Sequence, residues 1–420
     1  MAPLTLAFTL LLCGALYGAK RRWVGPIFVF AVCLIPYDQA LNIAGLDFKV
    51  VRLISLIGVL RMLTKGDYRR RPYTKCDKIY FAWITWNSIA GVILWASIGM
   101  LIYKLGVLVD YLVAFIVLRA YVTNVEDVRR MVRSILWCTI VLAPAVAFEL
   151  VFHKNAFFML GRDFVLYRDG EIRCTASFSH PILLGSFAAS VMPLALYSYI
   201  NSSDGRLFSV LSVISSLYIT YATASSGPVM ALGAGVACYY MFVYRRFTKH
   251  FFYSVVALAS VLHVIMSAPV WHLISRINLT GSSTGYHRFY LIDKTVENFT
   301  EWALVGVRGV AHWGIHWGDV TSMYVAQAVD GGIGTLGLFV WLLIEVQRRF
   351  LRASLLYSQK AEQLISWGLY SAMITHILSF LSVGYFGQMS ILIVITVTMS
   401  MALGNMSDRK RMEGDVRSGN

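Results

Sequence analysis

The sequence predicts an all-α, polytopic integral membrane bundle of roughly 12–13 transmembrane helices, and three observations carry that prediction. Apolar runs of about 17–25 residues recur along the whole chain, long enough to cross a hydrocarbon core of roughly 30 Å as helices. Hydrophobic residues fill 58% of the 420 positions and charged residues only 14%, where a soluble domain would carry about a quarter of its residues as charge; the mean hydropathy is +0.64. Basic residues gather in alternate loops. Only helices and closed barrels satisfy their backbone in lipid, and these runs are too long for barrel strands.

Taken in order, the first run, PLTLAFTLLLCGALYGA, has no basic segment ahead of it and is followed by Lys20, Arg21 and Arg22. It is therefore read as a retained span over 2–18 rather than a signal peptide. Spans at 23–44 and 46–64 lie between that cluster and the basic stretch from Arg61 to Lys78. Spans at 79–103 and 105–121 meet at Lys104, and 131–152 follows Arg129, Arg130 and Arg133. Pro181 suits the first turn of a span at 181–200. Spans at 207–223 and 225–244 are joined by the small-residue break YATASSGPVM, and the series closes with 252–270, 323–346, 361–382 and 386–404.

Alternate loops carry Lys20 to Arg22, Arg61 to Lys78, Arg119 to Arg133, Arg206, Arg245 to Lys249, Arg348 to Lys360 and the tail Arg409 to Arg417. That places roughly 26 of the 37 Lys and Arg residues on one side, which the positive-inside rule assigns to the cytoplasm. The net charge of +15 is thus mostly a topology signal. No basic patch interleaved with stacking aromatics marks a soluble module, so nucleic acid is not an expected partner. The opposite, extracytoplasmic side receives two sizeable loops, 153–180 and 271–322, in which charges nearly balance. The expected organisation is one integral membrane domain over 1–404 and a basic cytoplasmic tail over 405–420, with no internal repeat. Six cysteines at 13, 33, 76, 138, 174 and 238 show no metal spacing and imply no disulfide framework.

The charge in the outer loops is where chemistry is expected. On a helical wheel of 286–302 (YHRFYLIDKTVENFTEW), Phe289, Ile292, Val296 and Phe299 form one apolar stripe. His287, Lys294, Glu297 and Glu301 point the other way, and Arg288 lands at the edge of the stripe beside Phe299. Either Arg288 snorkels to lipid headgroups from an interfacial helix, or it forms an anion site, since a guanidinium offers planar bidentate donors to phosphate. In EIRCTASFSHPILLGSF, Arg173 and His180 approach the start of the seventh span, where a helix N-terminus favours an anion. A cap role for His180, and pairing of Arg173 with Asp169 or Glu171, remain open alternatives. Lys49, Arg52, Lys104 and Asp110 lie toward outer helix ends and are functional candidates by default, with a Lys104–Asp110 pair as the plain alternative. His312, His316 and Asp319, in GVRGVAHWGIHWGDVTSM, could hold a metal, but Gly314 and Gly318 argue against a regular helix there. A role as general base toward an acceptor hydroxyl is the better expectation, so no metal or other cofactor is expected.

The order of these pieces resembles the O-antigen ligase/polymerase family of bacterial envelope glycan enzymes. Four stretches carry the resemblance over most of the chain: IPYDQALNIAGLDFKVVRLISLIGVLR, RCTASFSHPILLGSFAASVMPLAL, STGYHRFYLIDKTVENFTEWALVGVRG and DVTSMYVAQAVDGGIGTLGLF. The resemblance implies a multi-pass protein of the bacterial cytoplasmic membrane that joins undecaprenyl-diphosphate-linked glycan units at its outer face. Its partners would be that lipid-linked donor, an acceptor glycan or lipid A-core, membrane lipid, and a flippase and chain-length regulator. Arg288 would hold the diphosphate, with His312, His316 and Asp319 completing the catalytic set. Arg173, His180, Arg52, Arg308, Ser226, Thr321 and Ser322 would contact substrate. The chain departs from the ligase pattern twice. Ser225-Ser226-Gly227 lacks the arginine of a Ser-Arg-Gly break, and Thr321 and Ser322 stand where ligases carry His-Asn. A polymerase therefore fits better than a ligase. A transporter or flippase would spread its charge along a path and often repeat in two halves; here charge concentrates at the outer ends.

Overall fold

The computed structural model describes residues 1–43, 45–168, 170–201, 205–273, 284–315 and 318–418, with side chains described except at 284–286 and beyond 404. Helices take up 77% of the described residues. In order they are α1 (Pro3–Gly18), α2 (Val24–Leu34), α3 (Val50–Lys65), α4 (Lys75–Trp95), α5 (Ile98–Tyr121), α6 (Val125–Phe152), α7 (Pro181–Asn201), α8 (Arg206–Ala222), α9 (Ser226–Tyr240) and α10 (Thr248–Ile265). Then follow α11 (Thr284–Glu297), the single turn α12 (Phe299–Trp302), α13 (Met323–Leu356), α14 (Lys360–Ser379) and α15 (Gln388–Ser418). By length and composition five stretches among the described residues suit a membrane crossing: α5, α6, α7, the run Ser226–Ile265 and α13. Shorter apolar helices are α1, α8 and Gln388–Gly404.

Two short hairpins qualify the all-α expectation: β1 (Ala40–Ile43) with β2 (Leu46–Lys49), and β3 (Leu166–Arg168) with β4 (Glu171–Arg173). The first corrects the expected spans at 23–44 and 46–64. The helix stops at Leu34, ahead of Pro36, and the chain pairs with itself outside the bundle before α3 begins. The boundary expected at Lys104 is also corrected. The break falls at Ala96, in the left-handed region, and Ser97, whose hydroxyl accepts the Met100 N–H at 3.2 Å. Charge did not end the helix; a cap did.

The centre of the bundle is α7, buried along nearly its whole length against α8, α9 and α14. Its Gly185, Ala188, Ala189, Ser190 and Ala195 keep the side-chain layer thin, which lets neighbouring backbones approach closely. At the basic end several cations are tied into the fold. Arg61 donates to the carbonyls of Leu16 and Ala19 at the end of α1 and pairs with Asp67. Arg119 pairs with the fully buried Asp77 at 2.8 Å. These residues cap and join helices besides setting the charge asymmetry.

At the opposite end, α11 forms as expected, but its packed face is different. Arg288, Leu291 and Thr295 point inward, while Val296 and Phe299 of the expected stripe are exposed. Leu291 sits in a second hydrophobic cluster with Trp302, Val310, Trp313, Ile315, Val325, Ala328 and Val329. A helix with apolar residues on two faces has two choices of packing, and the wheel alone does not rank them.

α13 is broken at Gly331 (φ −167°, ψ 24°) and Gly332 (φ 69°, ψ −167°). The segment after α12 fills the break: Val307 N–H donates to Val329 C=O, and Ile333 N–H to Ala303 C=O, each at 2.9 Å. A side chain at 332 would collide with the Leu304 carbonyl, so only glycine fits this left-handed position.

Candidate functional site

A cavity of about 1590 Å³ opens at the end of the bundle away from the basic loops. Its position follows from the helix ends and hairpins that form it. One wall comes from Arg168, Arg173, His180 and Ile182, α11 and the approach to α13; the other comes from the 45–52 segment, α4, α5 and α13, and residues within 380–393 complete the lining.

On the first wall, the loop between β4 and α7 is held from both sides. The buried Glu149 carboxylate accepts the N–H groups of Thr175 (3.1 Å) and Ala176 (2.9 Å). Gln388, at the start of α15, accepts from Ser179 Oγ (3.2 Å) and donates to the Ser177 carbonyl (2.5 Å). Arg162, fully buried, pairs with Asp38. Arg173 is thereby aimed at the α8–α9 break, where Nε donates to Thr223 C=O (3.3 Å) and Nη2 to Ser225 Oγ (2.5 Å). These bonds, rather than a pair with Glu171, hold Arg173; Asp169 lies outside the described residues.

His180 occupies the N-cap of α7. Its carbonyl accepts the Leu183 and Leu184 N–H groups, and its Nδ1 accepts the Ile182 N–H at 3.3 Å. Burial lowers its pKa to about 4, and the nearby Arg173 charge adds to this, against a raising effect of Asp319. With Nδ1 occupied as acceptor, the neutral ring carries its proton on Nε2 and is a donor toward the cavity. The cap alternative holds, and the cavity contact holds with it.

Arg288 lines the same cavity and is only 8% exposed. It forms no ion pair or hydrogen bond among the described residues. Desolvation lowers its pKa from the usual arginine value, and the neighbouring Arg168 charge lowers it further. Arg173 is lowered by the same two causes. Three guanidinium groups thus share one wall. Gly227, in the first turn of α9, faces this group: a Cβ there would stand 3.5 Å from Arg288 Nη2 and collide with Ser382 Oγ.

The second wall is mixed in charge. Arg52 pairs with Asp110 through two bonds, 2.7 and 2.9 Å. Lys104 Nζ donates to Asn87 Oδ1 at 3.0 Å, so the simple Lys104–Asp110 pair is not formed. Lys49 sits 4.0 Å above the Tyr37 ring. Asp330, the residue before the α13 break, also lines the cavity. Among the described residues, no three His, Cys, Asp or Glu side chains gather in a metal-holding group.

Of the residues picked from sequence, the cavity brings together Arg288, Arg173, His180, Arg52, Asp319 and Thr321. Asp319 is at the rim, its carbonyl accepting from His287 Nε2 at 3.3 Å. Thr321 Oγ1 is buried without a hydrogen-bond partner among the described residues. Ser226 begins α9 beside Gly227, off the lining; the serine that Arg173 reaches is Ser225. Ser322 is also off it, donating to Phe380 C=O at 3.1 Å. Arg308 is exposed and caps α4 through the Leu94 carbonyl at 2.8 Å. His312 is exposed and bonded to Glu301 at 2.8 Å, away from the cavity. The spacing of His312 from Asp319 placed them together, but the turn at Ala311–Trp313 and the left-handed Gly314 direct His312 outward. His316 lies outside the described residues. Asp330 and Arg168 were not singled out from sequence, although an aspartate followed by two glycines inside an apolar run is itself a signal.

No family model matches the chain, and no curated protein matches it.

Proposed function

We propose that the chain is a polytopic protein of the bacterial cytoplasmic membrane that transfers glycan units from a polyprenyl diphosphate, undecaprenyl diphosphate in the resemblance, at the outer face. The polymerase type is preferred, joining one lipid-linked unit to another. The single observation that carries this reading is Arg288: a buried guanidinium without a hydrogen-bond or ion-pair partner among the described residues, in one cavity with Arg173, Arg168 and His180. An unpaired buried charge is costly, and a cavity that retains one is suited to an anionic ligand. The membrane reading is supported by the five long apolar stretches and by α10, none of whose residues is buried. The residues that line the cavity lie toward the helix ends remote from the basic clusters, which favours the extracytoplasmic side for it.

In this reading the glycan arrives already activated by its diphosphate. Charge grows on the diphosphate oxygens as the anomeric carbon–oxygen bond breaks. Preorganised cations and the His180 Nε2–H stabilise it, an effect worth about 3 kcal/mol for one well-placed donor. N-termini of α7 and α9 add their dipoles.

The test is Arg288→Lys, which keeps the charge and loses the bidentate fork. The variant is expected to insert and accumulate normally while polymer synthesis drops by at least tenfold. Polymer of normal amount and length in cells carrying it removes Arg288 from the mechanism. Deletion of the gene followed by sizing of surface glycans separates the branches. Single repeat units on the acceptor support a polymerase. Complete polymer left on the lipid carrier supports a ligase, and chains retained on the cytoplasmic side support a transporter.

A further inference from the structure

We propose that Asp330 is the general base of the transfer, taking the proton of the acceptor hydroxyl in the deeper part of the cavity; this rests on the glycan-transfer reading. The helix rise of about 1.5 Å per residue puts Asp330 roughly 10 Å further in than Thr321 at the mouth. Lys104, Asn87, Trp83 and Gln327 line the same depth, offering ammonium, amide and aromatic surfaces of the kind that hold a sugar.

The carboxylates on the cavity wall are Asp47, Asp110, Asp319 and Asp330. Asp110 is held by the Arg52 fork at 2.7 and 2.9 Å. Asp47 accepts from Asn42 Nδ2 at 3.0 Å. Asp319 lies at the open rim. Asp330 alone combines depth with a free carboxylate, having no hydrogen bond or ion pair among the described residues. Its side chain is exposed to the cavity, with the Lys104 charge near enough to act on it.

The backbone reinforces this. Asp330 is the last helical residue before the break, and the break is fixed on every side. Trp86 Nε1 donates to Gly331 C=O at 3.1 Å, and Thr335 Oγ1 donates to the same carbonyl at 2.9 Å. Unwound backbone at this depth is tolerated where protein satisfies it and it lines a cavity. The two glycines are therefore a rigid ledge presenting Asp330, a preorganised placement of the kind a proton acceptor needs.

The step balances without a further reagent. The acceptor O–H gives its proton to the Asp330 carboxylate as its oxygen bonds to the anomeric carbon. The bond from that carbon to the diphosphate oxygen breaks, and its electron pair leaves on the diphosphate beside Arg288. His180 is a poor alternative base, because its Nδ1 is occupied and Nε2 carries the proton.

The experiment uses the full chain in lipid nanodiscs with a polyprenyl-diphosphate oligosaccharide, measuring donor binding and transfer separately. Asp330→Asn is expected to lower transfer by about 10²–10⁴-fold while donor affinity stays within threefold. Asp330→Ala is expected to regain part of its rate with added formate. If Asp330 merely balances the Lys104 charge, the double variant Asp330→Asn/Lys104→Met recovers wild-type transfer, and the proposal is overturned. It is also overturned if Asp330→Asn retains more than a third of the wild-type rate, or if formate has no effect on Asp330→Ala. Should the wild type bind no lipid diphosphate and transfer nothing, the glycan-transfer reading itself falls. That outcome is distinct from an active wild type with an active Asp330→Asn.

Discussion

Replacing Arg288 with methionine is expected to stabilise the protein while ending its function. The side chain is 8% exposed and has no hydrogen bond or ion pair among the described residues. Removing one member of a buried ion pair ordinarily destabilises by about 3–5 kcal/mol, because the partner is left uncompensated. Here no carboxylate is left behind. What is removed is an unsatisfied buried group, worth about 1–3 kcal/mol against the fold, plus like-charge repulsion from Arg168. Methionine has similar length and flexibility and can fill the same space. Cavity water offsets part of the penalty in the wild type, so a net gain of about 1 kcal/mol is the working figure. The assay is thermal unfolding of both proteins in detergent or nanodiscs, with and without a polyprenyl diphosphate. Without ligand the variant should unfold at a higher temperature. At a ligand concentration about 100-fold above Kd the wild type should gain roughly 2.7 kcal/mol and the variant much less. A variant that unfolds at a clearly lower temperature than the wild type would mean that Arg288 has a structural partner, and the anion-site argument would then fail.

Two further outcomes follow from the wall around Arg173 and His180. Glu149→Ala leaves the Thr175 and Ala176 N–H groups without their acceptor, costing about 1–3 kcal/mol for each donor left buried. Hydrogen exchange should rise locally in 174–180 while helical circular dichroism is unchanged, and unchanged protection there counts against the loop-anchor role. His180 gives a signed pH dependence. Unfolded histidine binds its proton near pH 6.5, whereas the folded residue resists until about 4. Its contribution is thus complete above pH 6.5 and lost progressively as pH falls toward 4. His180→Gln should show a shallower loss of thermal stability over that window, and parallel slopes for the two proteins would rule out this source.

How much was legible differs from residue to residue. Arg288 was found by helical phase, because an arginine off the charged face of an amphipathic segment has to be accounted for. The phase itself was set on the wrong stripe: Val296 and Phe299 are exposed and Leu291 is buried. Arg173, His180 and Arg52 were found by their position at outer helix ends, where charge next to apolar runs is conspicuous. His312 was picked by its spacing from His316 and Asp319, and Arg308 through the family resemblance, yet their side chains go to Glu301 and the Leu94 carbonyl. Nothing local separates an arginine that caps a helix from one that faces a ligand. Asp330 was passed over because its sequence neighbours read as a span entry, and the break that presents it is filled by a segment 22 to 30 residues earlier.

By itself, the sequence determined a chain of apolar helices, the alternation of basic loops and the crowding of polar residues at one end. Those features follow from the length of each apolar run and the cost of charge within it, and both are local quantities. Which cations share a wall was decided only by the tertiary structure, because pairing depends on where distant helices bring their side chains. Arg52 found Asp110, Arg119 found Asp77, and Arg288 was left facing the cavity.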